Sequence, residues 1–407
     1  MNPRLGALHP YPFERLRLLL AKADAPPAGL APISLSIGEP KHAASPLVIQ
    51  AMQNAMDGLS AYPPTKGDAQ LRGAIADWIA RRYGIPRPDP ETQVLPALGS
   101  REALFAFAQT VIDPVAGALV VCPNPFYQIY EGAALLAGAQ PYFINAQADL
   151  DFGYDWNAVP AETWRNTQLV YVCSPGNPAG NVLPLQSWQT LFQLADQYGF
   201  VIASDECYSE IYFDESQPPL GAMQAAHRLG RSDYRRLLCF SSLSKRSNVP
   251  GMRSGFVAGD AELVKQFLLY RTYHGSALSP VVSRASVAAW NDEAHVAENR
   301  RMYRRKFEAV VPVLQPVLDV QWPQAGFYLW ARTPCGDEDF ARRLYAATAV
   351  TVLPGSYLAR EAHGVNPGAN RIRIALVAPE QECLEAARRI ADFVESPQSR
   401  PGPARRP

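Results

Sequence analysis

Short apolar runs rich in β-branched and aromatic residues recur along much of the chain. They are Ala118–Cys122, Pro141–Ile144, Leu169–Cys173, Phe200–Ala203, Leu237–Phe240 and Gly255–Ala258. A strand with one wet face alternates apolar and polar positions. These runs do not alternate, so both of their faces are predicted to be buried, as in a mostly parallel sheet covered by helices. Several spacers between them have helical spacing, for example Leu185–Tyr198. A further apolar helix is predicted from Gly99-Ser100-Arg101 to about Ile112. Alternation of this kind predicts an α/β fold.

The pattern changes near residue 285. One long helix is predicted over Ser283–Leu314, with most of Arg300, Arg301, Arg304 and Arg305 forming a solvated face. Strand-like pieces follow at Gly326–Trp330, Val350–Leu353 and Arg371–Ala375, with helices at Asp337–Ala347 and Pro379–Val394. These predict a second, smaller α+β domain. The expected organisation is an N-terminal arm with part of the small domain over 1–42, a large domain over 43–284, the small domain over 285–395 and a disordered tail over 396–407. No internal repeat is visible.

A chain of 407 residues is too long for one ordinary core, which agrees with two domains. Lys+Arg and Asp+Glu are both 38, and that balance argues against nucleic-acid or membrane-surface binding, which need a basic excess. The nearest thing to a secretion signal, Leu16–Ala21, is flanked and broken by Glu14, Arg15 and Arg17, so it reads as a short amphipathic helix. The expected location is cytoplasmic. Cys122, Cys173, Cys207, Cys239, Cys335 and Cys383 form no C-x-x-C pair, and the histidines show no ligand spacing, so no metal is expected. The cysteines read as small buried hydrophobes.

Candidate chemistry follows the ends of the predicted strands, where α/β sheets bind ligands. Lys245 stands in Ser242-Leu-Ser-Lys245, with Arg253 eight residues on. A lysine amine can condense with an aldehyde, and hydroxyls with a guanidinium can hold a phosphate. Together they point to pyridoxal phosphate, against the plainer reading of an exposed charged turn. Gly99 and Ser100 open a helix whose free N–H groups suit the same phosphate, or simply cap the helix. Asp205 follows a buried strand and can pair with a protonated ring nitrogen or cap the next turn. Tyr208, three residues on, and Asn177, in a turn after Cys173, can donate to a ring oxygen. Tyr127 can stack on a flat cofactor or pack in the core.

With these motifs in order, the chain resembles the class I and II aminotransferases of pyridoxal-phosphate fold type I, from about Leu16 to Val394. The resemblance implies a large domain with a mostly parallel seven-stranded sheet between helices, a smaller α+β domain, and a homodimer with shared active sites. It implies that Lys245 carries the cofactor, that Asp205 partners the ring nitrogen, and that Asn177 and Tyr208 donate to the ring hydroxyl. Tyr127 is then the stacking aromatic, and Ser100, Arg101, Ser242 and Arg253 hold the phosphate. Tyr62 resembles the tyrosine that reaches the phosphate from the other subunit. Arg373 resembles the clamp for the substrate α-carboxylate, with Arg371 near enough to leave the register open. Gly38 resembles the glycine facing that carboxylate.

Within the family, Met1–Arg17 and Ile37-Gly-Glu-Pro-Lys41-His42 resemble the proteobacterial succinyldiaminopimelate transaminases of lysine biosynthesis. Lys41 is then a candidate contact for a distal carboxylate, or a solvated loop lysine. Tyr273 and His274 are further candidates. The implied reaction passes an amino group from L-glutamate to N-succinyl-2-amino-6-ketopimelate. A broad aspartate or aromatic aminotransferase, or a lyase on the same scaffold, would share these motifs. A non-catalytic ligand sensor is a more distant alternative, because the expected DNA-binding segment has no room before Leu16.

Overall fold

The computed structural model describes residues 1–397, so the tail expected from 396 falls outside the described residues beyond Pro397. The strands are β1 (Ile33–Ser34), β2 (Val94–Ala97), β3 (Leu119–Asn124), β4 (Gln140–Asn145), β5 (Thr167–Cys173), β6 (Val201–Asp205), β7 (Leu237–Ser242), β8 (Gly255–Gly259), β9 (Tyr328–Arg332), β10 (Val350–Thr351), β11 (Leu353–Pro354) and β12 (Arg371–Ala375). Seven of them form one sheet in the order β2-β8-β7-β6-β5-β3-β4. Neighbours are parallel except that β8 runs against both β2 and β7.

Each apolar run feeds two cores. Val121, Val170, Val172, Ile202 and Phe256 face one helical layer. Val120, Leu169, Tyr171, Ala203, Leu238 and Val257 face the other. The side-chain period of two sends neighbouring residues to opposite faces, so runs without polar alternation are what this burial demands. The seventh strand, β2, escaped the pattern because Pro96 interrupts its four residues. It lies at an edge, where a missing backbone donor is tolerated.

The helices between strands end where local chemistry ends them. Asp68 Oδ1 accepts from Gln70 N and Leu71 N at the start of Ala69–Tyr83, and Gly84 closes it in the left-handed region. Asp260 and Gly275 do the same for Ala261–His274.

A separate core holds Phe307, Leu329, Phe340, Leu344, Ile372, Ile374 and Ile390, joined by Ile33 and Leu35 from the N-terminal arm. There β11-β12-β9 form an antiparallel sheet, and β1 pairs in parallel with β10. The long helix expected over Ser283–Leu314 is in fact two, Pro280–Asn291 and Ala294–Leu314. The break falls at Asp292, whose extended backbone ends the first helix and whose carboxylate accepts from His295 N at 3.0 Å to start the second. The first helix packs Ala285, Ala289 and Trp290 into the large-sheet core. Arg300 departs from the expected solvated face. It is buried, with Glu215 at 2.7 Å and Glu210 at 3.7 Å. The strand expected over Val350–Leu353 is likewise split, because β10 and β11 belong to different sheets.

Candidate active site

Because β5, β6 and β7 run in parallel, their carboxyl ends open on one edge of the sheet. Asn177, Asp205, Ser242 and Lys245 meet there in a cavity of about 510 Å³. Ser100, Arg101, Tyr127, Tyr208, Arg253, Gly38 and Arg373 complete the same lining.

Lys245 sits in the single helical turn Leu243–Arg246, capped by Ser242 Oγ, which accepts from Ser244 N at 3.0 Å. Its Nζ donates to Gly38 O at 2.5 Å and lies 5.3 Å from the Phe327 ring centre. Burial pushes the amine down to about 8, the Arg373 charge adding to the effect. A Cβ on Gly38 would overlap the Tyr328 hydroxyl, so the glycine admits the close approach of Tyr328.

Asp205 closes β6 and is buried. Tyr130 donates to its Oδ2 at 2.7 Å, and Cys207 N donates to Oδ1 at 3.3 Å. Burial raises this carboxyl above the ordinary range, against those hydrogen bonds and the nearby Lys245 charge. A buried carboxylate of this kind calls for a cationic partner facing it.

Arg373 is buried. It donates to Asn177 Oδ1 at 3.0 Å and to Ser36 O at 2.8 Å, with its guanidinium 4.3 Å from the Tyr328 ring centre. Its Nε has no partner among the described residues. Arg371 points elsewhere, over Phe152 in a second cleft, so the open register resolves with Arg373 in the cavity. The bond from Arg373 occupies Asn177 Oδ1 and leaves the Asn177 amide free to donate. Tyr208 and Tyr328 share a hydroxyl contact of 3.0 Å.

The opposite end is built for an anion. Gly99, at φ 80°, precedes the helix Ser100–Val111, and a Cβ on it would overlap the Arg253 guanidinium. Arg253 is exposed toward the cavity, with Ser242 and Ser244 alongside. Free N–H groups, hydroxyls and a guanidinium around one space are the donor set that a phosphate dianion takes. Arg101 Nε donates to Tyr127 Oη at 2.5 Å, fixing the ring that walls this end.

Four of the expected contacts, Tyr62, Lys41, Tyr273 and His274, are not in the cavity lining. Tyr62 is fully exposed, as suits a residue expected to serve a partner subunit. Lys41 is also exposed and away from the lining. Its neighbour His42 turns inward and meets Asn299 Oδ1 at 2.9 Å. Tyr273 is exposed and His274 pairs with Ser276, both outside the cavity. Conversely, Tyr130, Tyr328 and Cys207 were not anticipated. Tyr130 had a signal, one helical turn after Tyr127. Cys207 was read as a buried hydrophobe, yet it lines the cavity and donates to Ser100 Oγ at 2.9 Å. Nothing in the local sequence marks Tyr328.

Residues 31–390 match the family model for aminotransferase class I and II. An LL-diaminopimelate aminotransferase of Nitratidesulfovibrio vulgaris is 32% identical over 394 residues, covering 95% of this chain and 97% of that protein. An aminotransferase structure from Neisseria meningitidis is 53% identical, with a TM-score of 0.94 over 97% of this chain and all of that one. A structure of a probable N-succinyldiaminopimelate aminotransferase from Thermus thermophilus is 26% identical, with a TM-score of 0.83, covering 93% of this chain and 99% of that one. The chain therefore belongs to the class I and II aminotransferases, enzymes that work through pyridoxal 5'-phosphate.

Proposed function

We propose that this aminotransferase moves an amino group between L-glutamate and N-succinyl-2-amino-6-ketopimelate, giving N-succinyl-LL-2,6-diaminopimelate and 2-oxoglutarate. The observation that carries the amino-transfer chemistry is the meeting of Lys245, Asp205, Asn177, Tyr208 and Arg373 in one cavity. The substrate is supported by the resemblance of Met1–Arg17 and Ile37–His42, and by the diaminopimelate skeleton named for several relatives.

The residues present fit the cofactor. The Ser100 helix start, Ser242 and Arg253 would hold its phosphate. Asp205, held by Tyr130, would pair with the ring nitrogen and favour its protonated form. The free amide of Asn177 and the hydroxyl of Tyr208 would donate to the ring oxygen, and Tyr127 would stack on the ring. Pyridoxal phosphate supplies an aldehyde carbon that takes the amino group and a ring that spreads the charge left on the substrate α-carbon. Arg373 orients the substrate by a bidentate grip on its α-carboxylate. The Lys245 amine takes the proton from the α-carbon and delivers it again, acting as base and then acid. Its low affinity for a proton suits that exchange near neutral pH.

We further read the chain as one half of a homodimer. Exposed Met56, Leu59 and Tyr62 lie close together in the chain, as a buried subunit contact would require. Sedimentation of the protein at micromolar concentration should give a dimer.

The substrate test is a single-turnover titration followed by cofactor absorbance. L-Glutamate and N-succinyl-LL-diaminopimelate should convert the enzyme fully, and L-aspartate only weakly. The names of the relatives favour a second reading, in which unsuccinylated LL-diaminopimelate is the substrate. Preferential conversion by that compound would replace the first reading. Fast conversion by aspartate or aromatic amino acids alone would discard both.

A further inference from the structure

Asn299 lies in the second turn of the helix Ala294–Leu314 and is buried. Farther along, that helix packs Phe307, Val310, Val311 and Leu314 into the smaller core. The Asn299 amide is fully used. Its Nδ2 donates to Lys245 O at 3.2 Å and to Arg246 O at 3.3 Å. Its Oδ1 accepts from Asn248 Nδ2 at 2.7 Å and faces His42 Nδ1 at 2.9 Å. Two carbonyls opposite Nδ2 fix the orientation of the amide, because an oxygen placed there would be repelled. Oδ1 must then face His42, so the imidazole carries a proton on Nδ1. Burial holds His42 below its ordinary range, against the Asn299 hydrogen bond and Glu298 and with Lys306 and Arg305 acting in the same sense.

His42 and Gly38 lie in the same loop, between Ser34 and Pro46, and Gly38 O is where Lys245 Nζ rests. A closed circuit results. It runs from the Lys245 side chain to Gly38, along the loop to His42, through Asn299, and back to the Lys245 backbone. Lys245 Nζ cannot stay on Gly38 O while it handles a proton on substrate. Once it leaves, the link through His42 and Asn299 still ties the loop to the lysine turn.

We propose that Asn299 is a positioning residue for Lys245. With His42 it holds the lysine turn and the Gly38–His42 loop in one register, from a helix rooted in the other core. This rests on the aminotransferase reading of Lys245. The charged and titratable groups around the amine itself are Arg373, Arg101, Glu39, Cys207 and Asp205, and none of them is altered in the test.

The test compares the cofactor-loaded parent with Asn299→Ala, His42→Ala and His42→Asn. The readouts are the pH midpoint of the lysine-bound cofactor absorbance, kcat and KM for glutamate, and thermal unfolding. Asn299→Ala should move the absorbance midpoint by about half a pH unit or more. It should lower kcat roughly tenfold, with a smaller change in KM. His42→Ala should shift both in the same direction by less, and His42→Asn, which restores a donor near Nδ1, should recover most of the loss. If Asn299→Ala does not fold, the His42 pair decides alone. Parental midpoint and kcat in every folded variant would overturn the inference and leave the aminotransferase reading standing. A parent protein with no lysine-bound absorbance would overturn both.

Discussion

Two lysines in this chain have almost the same local physics and different surroundings. Lys245 and Lys306 are both pushed by burial down to about 8. Each gives Nζ to one backbone carbonyl, Gly38 O at 2.5 Å and Val377 O at 3.2 Å. Each lies beside an aromatic ring, Phe327 at 5.3 Å and Tyr303 at 5.0 Å. Lys306 is nearly sealed, on a helix that faces Cys383 and Glu380. Lys245 opens on a cavity shared with Asp205, Asn177 and Arg373. The comparison teaches that a depressed lysine marks a desolvated place and nothing more. What distinguishes the active-site candidate is the convergence of other polar groups on the space in front of the amine.

The largest expected effect breaks the pair apart. Lys245→Ala should reduce turnover by at least about a thousandfold, while Lys306→Met should stay within about threefold of the parent in a steady-state assay. Equal losses would make the two lysines equivalent and defeat the comparison.

Next in size is Arg373→Lys, which exchanges a planar fork for a point charge. KM for amino donors should rise by roughly tenfold or more, whereas Arg371→Lys should leave it within about twofold. A larger effect from Arg371 would reverse the assignment of the two arginines.

Titration then sharpens the contrast. The rate at which cofactor-free enzyme takes up pyridoxal phosphate depends on neutral Lys245. Stopped-flow absorbance should show that rate falling about tenfold per pH unit below about pH 8 and levelling off above it. A rate flat from pH 6 to pH 9, to within about twofold, would contradict the depressed amine.

The smallest effect is on stability. Lys306 binds its proton less tightly folded than unfolded, so between about 8 and 10.5 the unfolded chain carries the extra proton and folding becomes more favourable as pH rises. The penalty is fully present below about pH 8. Replacing Lys306 by Met should therefore stabilise the protein by about 1–3 kcal/mol at pH 7, with the gain shrinking toward pH 10. Chemical denaturation at both pH values measures it. A gain that grows with pH would have the wrong sign.

Much of this was legible before the fold was known. Runs such as Leu169–Cys173 are apolar at every position because both faces of β5 are covered. Polar residues just past such runs stood out for that reason, and Asn177, Asp205 and Lys245 do meet. Where reading failed, tertiary context decided. Asn291-Asp292 stops a helix whose apolar spacing continues past it, and Pro96 hides a strand that an edge position tolerates. The chain pattern does not say which way the loop residues face: Lys41 is exposed outside the cavity lining, while His42 turns inward to Asn299.

The sequence by itself determined the alternation of buried strands and helices, the order of the cofactor motifs and the family, because periodicity and short-range spacing are local properties. Only the tertiary structure decided which of Arg371 and Arg373 enters the cavity. It also supplied the Tyr130 hydrogen bond to Asp205 and the Tyr328 contact with Tyr208, and joined Asn299 to the lysine turn. Those pairings span 75, 120 and 54 residues, and a contact across such a separation is set by how strands and helices pack, which no local pattern records.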